Sequence, residues 1–134
     1  MIQPIEVVGA IIVRDSTVLA ARRGPSKSLK GMWEFPGGKV ECDEDPREAL
    51  GREIREELSC EIEVGTRVAT TSHAYDFGLI RLSTYYATLT AGQPTAIEHA
   101  ELRWVAIRNL SALNWAPADI PTVRKLMSRA PESG

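Results

Sequence analysis

The segment from Gly37 to Cys60, GGKVECDEDPREALGREIREELSC, constrains this chain more than any other, because it sets Glu44, Arg52, Glu53, Glu56 and Glu57 behind a glycine pair at fixed spacing. A helix is expected to begin near Asp45 or Pro46. Residues three and four apart on a helix share one side, so Glu53, Glu56 and Glu57 should project together. At about 100° per residue, Leu50, Ile54 and Leu58 form an apolar stripe beside Glu53 and Glu57. The carboxylates therefore sit at the margin of the buried face, where they repel one another without a counterion. Hard divalent cations such as magnesium take oxygen ligands, commonly one or two carboxylates with waters and substrate phosphates. A segment such as REIREEL is by itself common as a solvated face laced with Arg–Glu pairs. What separates the two readings is the joint pattern with the glycines and Glu44.

That pattern runs Gly38, five residues, Glu44, seven residues, Arg52-Glu53, the apolar Ile54, one residue, then Glu56-Glu57. It resembles the Nudix box. The family pattern goes on with any residue, a glycine and an aliphatic, where this chain has Leu58, Ser59 and Cys60. Ser59 departs from it at a position where a left-handed residue ends the helix, so it bears on the cap more than on the chemistry. The resemblance implies an α/β Nudix fold, an α/β/α sandwich with a central mixed sheet, formed by residues 1–134 as a single domain. It also implies a Mg2+ cofactor, which Mn2+ can replace. Gly37 is then the residue whose carbonyl meets the metal, and Gly38 lets backbone approach a phosphate closely. Glu53, Glu56 and Glu57 become the principal metal ligands, while Glu44 and Arg52 fix the loop and helix geometry by charge-assisted pairing. The implied reaction is hydrolysis of a nucleoside diphosphate linked to another group. In MutT-like members water attacks the β-phosphorus of a nucleoside triphosphate, releasing monophosphate and pyrophosphate. A glutamate on a later loop serves there as ligand or base, and Glu98 stands at that place, with Glu101 the nearby competitor.

Length and composition fit a small enzyme. The 134 residues suffice for one core. A formal net charge of −2, with no basic stripe, favours a nucleotide over polymeric nucleic acid as partner. Cys42 and Cys60 show no metal or disulfide spacing and read as small structural residues. MIQPIEVVGAIIV lacks the charged start of a signal peptide, so a cytoplasmic protein with reduced thiols and no membrane partner is expected. Either a monomer or a homodimer is compatible with the chain.

Outside the box, Ile5 to Val13 and Val18 to Ala21 read as a hairpin turning at Asp15-Ser16, and Arg22 to Gly31 as a surface loop. Glu61 to His73 and Leu79 to Leu89 form a second hairpin around Asp76 to Gly78. Leu102 to Ala106 is a short strand, and a last helix runs from Pro117 or Ala118 to about Ser128.

Three further features resemble the MutT-like branch. WEFPGGK leads into the box, Arg23 ends the second strand where the family pairs an arginine with phosphate, and Asp119 opens the last helix. The family position of Asp119 faces the base, and aspartate there resembles the CTP and dCTP pyrophosphohydrolases, whereas asparagine goes with oxidised guanine. An ionised aspartate offers only acceptors, which suits the exocyclic amine of cytosine. The competing reading of Asp119 is a helix cap. Glu34 supplies a second acceptor in that pocket, with Trp33 or Phe35 packing on the ring or in the core. Strand alternation accounts for His73, Tyr75 and Phe77 as well as a base platform does. His99 is expected at the surface, and Trp104 and Trp115 in the core or at an interface. The resulting expectation is a nucleotide-pool pyrophosphohydrolase for cytosine nucleotides. Its alternatives are an 8-oxo-dGTP, ADP-ribose or nucleotide-sugar hydrolase, or a non-catalytic nucleotide-binding module.

Overall fold

The computed structural model describes residues 3–129. Seven strands run in chain order: β1 Ile5–Arg14, β2 Thr17–Arg22, β3 Trp33–Glu34, β4 Gly37–Lys39, β5 Glu61–Tyr75, β6 Gly78–Ala91 and β7 Glu101–Ala106. Helix α1 is Pro46–Leu58 and helix α2 is Ile120–Arg129. The main path of the sheet is β3-β2-β1-β6-β5, with β4 on β1 and β7 on β2. Strand β1 holds it together. It lies parallel to β6 from Ile5↔Ile80 to Ile12↔Ala87, and antiparallel to β4 through Val7↔Lys39 and Gly9↔Gly37. Its far end turns back into β2 by Val13↔Val18, through Asp15 and Ser16 at φ 49° and 64°. Both φ values are positive, as the tight hairpin turns that match strand twist require.

Alternation along β1 and β2 divides the buried side chains between two cores. Val8, Ala10, Ile12 and Leu19 pack with Ala49, Leu50, Ile54 and Leu58 of α1. Ile11, Val18 and Ala20 pack with Trp33, Phe35, Leu110, Trp115 and, from α2, Val123 and Leu126. The helices thus cover opposite faces, and the expected α/β/α sandwich with a mixed sheet is present. Each fully buried leucine or isoleucine contributes roughly 1.5–3 kcal/mol relative to exposure. Thr84 and Thr122, both buried, exchange a hydroxyl hydrogen bond of 3.0 Å between β6 and α2.

Helix α1 begins where its chemistry directs. The Asp45 carboxylate accepts the Arg47 N–H at 2.8 Å and Pro46 occupies the first turn, where its missing N–H costs nothing. It ends on Ser59, which adopts φ 55° and ψ 38°. The serine therefore takes the left-handed cap that the family assigns to glycine.

Some boundaries differ from expectation. Strands β3 and β4 stand where the sequence indicated only an approach to the box, because two- and three-residue strands carry no periodicity. Residues Ile107–Ala112 and Pro117–Asp119 form 3-10 turns. Helix α2 consequently starts at Ile120, later than the proline suggested. Cys60 is buried in the α1 core, whereas Cys42 is exposed on a loop, so the structural reading holds for the first alone. Among the described residues, no helix is long and apolar enough to cross a membrane.

Because a left-handed non-glycine residue costs about 1–2 kcal/mol, Ser59→Gly should raise unfolding free energy by about 0.5–1 kcal/mol. Urea denaturation at constant m-value measures it, and an unchanged midpoint would show that Ser59 is not strained.

Candidate active site

A cleft of about 490 Å³ opens at the end of the sheet where α1, β4, the segment after β2, the β5–β6 turn and the start of the last 3-10 turn converge. Its lining includes Arg23, Glu34, Phe35, Gly37, Gly38, Glu53, Glu57, Glu98 and Asp119, so most residues singled out from sequence meet in one place. Glu44, Arg52 and Glu56 lie beside it, outside the lining.

The acidic side is built on α1. Glu53 and Glu57 project into the cleft with side-chain exposures of 14% and 21%. Burial raises the pKa of both, with further repulsion from Glu56 on Glu53 and from Glu98 on Glu57. Glu56 is exposed and turns to Arg52 at 3.3 Å. Arg52 also grips Glu44 through two bonds of 2.8 and 2.9 Å, gives one of 3.0 Å to Glu53, and donates to the Lys39 carbonyl at 3.1 Å. The Arg52 hydrogen bonds and the Glu41 N–H hold the Glu44 carboxyl down at about 2.

Gly37 and Gly38 serve different needs. A Cβ on Gly37 would run into the Val8 carbonyl of the neighbouring strand, and one on Gly38 would run into the Glu53 carboxylate. The first glycine permits β1–β4 pairing, and the second leaves Glu53 its place. Among the described residues, no three histidine, cysteine or acidic side chains form a closed ligand set. The residues still fit a divalent cation. Two desolvated carboxylates face a cleft, one of them against a cradle that a single methyl group would fill. Such oxygen donors suit a hard ion that shares its coordination with water and phosphate.

The opposite side centres on Glu34 and Asp119. Arg23 donates to Glu34 Oε1 at 2.6 Å and to the Ser28 carbonyl at 2.6 Å. His99 Nε2 lies 2.9 Å from Glu34 Oε2, so both oxygens of Glu34 are engaged. His99 is a correction: its side chain is only 5% exposed, buried between Glu34 and Glu57. Nothing local in IEHAE signalled this, because the burial is supplied by β3 and α1. Asp119 is also buried, and its Oδ1 accepts the Phe35 N–H at 3.1 Å. That bond crosses to the segment between β3 and β4 instead of capping the helix that follows Asp119. Burial, then the negative charge of Glu34, pushes its pKa well above the ordinary carboxylate value.

The aromatic residues divide similarly. Phe35 lines the cleft while packing against buried Trp115, with ring centroids 4.6 Å apart and the planes tilted by 31°. Trp33 lies in the core, with Arg103 over its ring, and does not line the cleft. Trp104 packs against the α1 core. Tyr75 and Phe77 are stacked at 4.9 Å on the cleft wall, and the Tyr75 hydroxyl accepts the Ala118 N–H at 2.8 Å. Glu98 reaches the cleft with 53% of its side chain exposed and Lys27 at 3.6 Å. Glu101 turns instead to Arg103 and Arg22.

A two-faced α/β sandwich carrying an acid-lined helix against a bare glycine strand fits a hydrolase of phosphate anhydrides. The chain matches a family model described as NUDIX domain over residues 7–125, and it belongs to the Nudix family as a MutT-like hydrolase. It is 42% identical over 124 residues to the CTP pyrophosphohydrolase of Escherichia coli strain K12, covering 92% of each chain. It is 43% identical over 122 residues to the putative 8-oxo-dGTP diphosphatase 2 of Mycobacterium tuberculosis H37Rv, covering 89% of this chain and 84% of that one. Among solved structures, the Nudix protein MutT of methicillin-resistant Staphylococcus aureus 252 superposes with a TM-score of 0.80 at 53% identity, covering 97% of this chain and 100% of that one. The E. coli ORF135 protein gives 0.85 at 41% identity, with 95% and 91% covered.

Two substitutions separate framework from site. Gly37→Ala meets backbone and should lower stability by about 2 kcal/mol or more. Gly38→Ala meets only the tip of a side chain, so it should keep most of the stability while displacing Glu53, as denaturation and a crystal structure would show. An equal stability loss in both would contradict this division. Asp119→Asn should raise stability at pH 7 by about 1 kcal/mol, because it removes a buried charge while keeping the acceptor. A carboxyl with a raised folded-state pKa is costly when ionised. The gain should therefore vanish as pH falls below the unfolded-state value near 3.8, which denaturation across pH would test.

Proposed function

We propose that this protein is a magnesium-dependent nucleoside triphosphate pyrophosphohydrolase that converts CTP or dCTP, or a modified cytosine nucleotide, to monophosphate and pyrophosphate. The observation that carries the choice of base is Asp119. It is buried in the cleft wall with one oxygen held by the Phe35 N–H, so the other is left to accept from an amine. A site built to hydrogen-bond one group discriminates strongly against its absence. The 42% identity to a CTP pyrophosphohydrolase supports the same reading.

In this reading Glu53 and Glu57, with Glu56, Glu98 and the Gly37 carbonyl, would hold magnesium. Its contribution is to neutralise phosphate oxygens and to lower the pKa of a bound water. Arg52 and Glu44 keep the acidic helix in register with the glycine strand. Arg23 meets phosphate oxygens, and Gly38 lets the main chain approach them. Phe35 lies behind the base and is itself held by Trp115. A general base that takes the proton of the attacking water is supplied either by a glutamate of the box or by Glu98. The use that goes with this reading is cleansing or adjusting the nucleotide pool.

One observation favours a second reading, an 8-oxo-dGTP diphosphatase. It is the 43% identity to a protein of that name.

The test is turnover with magnesium on CTP, dCTP, 5-methyl-dCTP, 8-oxo-dGTP, dATP, ADP-ribose and nucleotide sugars, reading monophosphate and pyrophosphate. Preference for cytosine triphosphates is expected, with loss on chelation and a drop of about a hundredfold or more in Glu57→Gln. Preference for 8-oxo-dGTP would establish the second reading, and cleavage of ADP-ribose alone would overturn both.

A further inference from the structure

Residues 98–100 are fastened to the rest of the cleft at three points. The Ala100 N–H donates to the Arg22 carbonyl at 2.9 Å. Gly24 packs so closely on the Glu98 carbonyl that a Cβ there would stand 2.9 Å from it. Between these two contacts, the side chain of His99 turns inward rather than to solvent, toward Glu34 on one side and Glu57 on the other. A segment placed this way is a built part of the cleft.

The contact with Glu34 fixes which ring nitrogen of His99 carries a proton. An ionised Glu34 can only accept, so the 2.9 Å contact requires the proton on Nε2. Glu34 Oε1 is held in turn by Arg23 at 2.6 Å, so arginine, glutamate and imidazole form a continuous row across the cleft. The other ring nitrogen, Nδ1, is buried, has no hydrogen-bond partner, and points to Glu57 Oε2 at 3.8 Å. The row therefore runs from the arginine at the end of β2, through β3, to an acidic residue of α1. These elements are far apart in sequence, and the imidazole spans the interval between β3 and α1.

We propose that His99 is a positioning residue of the hydrolytic site, one whose imidazole, locked by Glu34, sets Glu57 and the Glu98 segment at a fixed place relative to Arg23. This rests on the reading of Glu57 and Glu98 as metal-holding and Arg23 as phosphate-holding given above. The consequence is that the two sides of the cleft do not adjust independently. A disturbance at Glu34 is felt at Glu57, because one rigid ring bears on both. The hydrogen bond to Glu34, rather than mere filling of space, is what orients the ring. Outer partners of this kind typically account for about 10–100-fold in metal affinity or activity.

The test uses the full chain with three substitutions and two readouts. His99→Phe keeps the bulk and removes both nitrogens. His99→Gln keeps an amide able to reach Glu34 from about the position of Nε2. His99→Asn is too short for that and places its amide near Nδ1. Thermal unfolding checks that each variant is folded. Electron paramagnetic resonance titration with Mn2+ alone reads metal binding without turnover, and steady-state kinetics on the best substrate of the wild type read kcat and KM separately. His99→Phe and His99→Asn should weaken Mn2+ binding about tenfold and reduce kcat/KM by about 10–100-fold, while His99→Gln restores both to within about fivefold of wild type. Should His99→Phe bind Mn2+ and turn over as the wild type does, the positioning role is refuted. Should a folded His99→Gln be as impaired as His99→Phe, the bond to Glu34 is not what orients the ring and the proposal also fails. A wild type that binds Mn2+ but cleaves no nucleotide would refute the proposed function instead. The Mn2+ affinities of the variants would in that case still decide the role of His99.

Discussion

One guanidinium fastens the catalytic half of this molecule. Arg52 sits on α1, yet it reaches Glu44 in the preceding loop, the Lys39 carbonyl at the end of β4, and Glu53 and Glu56 on its own helix. Only a planar group with five donors in a fixed fork can meet so many acceptors together, and a lysine in its place would satisfy one or two. Since the arginine side chain is 23% exposed, the value of these pairs lies in alignment more than in net stability. They fix the height and rotation of α1 over the glycine strand. Glu53 and Glu57 can then face the cleft at a spacing that their mutual repulsion would otherwise open.

The cleft is bought at some expense to the fold. Glu53, Glu57 and Asp119 all have carboxyls shifted upward by burial, which means that the folded chain holds them in surroundings less welcoming than water. Two cores on opposite faces of the sheet supply the compensation, one centred on Leu50, Ile54 and Leu58, the other on Ile11, Trp115 and Leu126. This is the usual relation between a working site and its scaffold, in which local cost is tolerated because the surrounding packing over-determines the geometry.

Much of this was legible in the sequence where the cause is local. The start of α1 follows from Asp45 and Pro46, its buried stripe from the spacing of Leu50, Ile54 and Leu58, and the first hairpin from two β-branched runs around Asp15-Ser16. The cluster of box residues at one cleft was readable because a helix converts spacing into direction. What was not legible depends on distant partners. The parallel pairing of β1 with β6 joins residues about 75 positions apart, and no periodicity in either strand specifies the other. Strands β3 and β4 are too short to show alternation. His99 lies among polar residues in a loop, and only the arrival of Glu34 and Glu57 makes its surroundings an interior. The engagement of both Glu34 oxygens was hidden for the same reason. In each case the missing information was tertiary.

Gly37 and Gly38 leave one stretch of the cleft floor as bare main chain, beside the side chains of Val8, Phe35 and Leu82. A molecule resting there meets peptide edges, which are the same whatever the residue. At those two positions there is no side chain to exchange, and one added there would meet the Val8 carbonyl or the Glu53 carboxylate. Adaptation to a different nucleotide falls instead to the surrounding side chains, among them Ser28, Tyr75, Phe77, Glu98 and Asp119. The glycine stretch is thus closed to substitution by its own emptiness, while the positions around it carry side chains that can be exchanged.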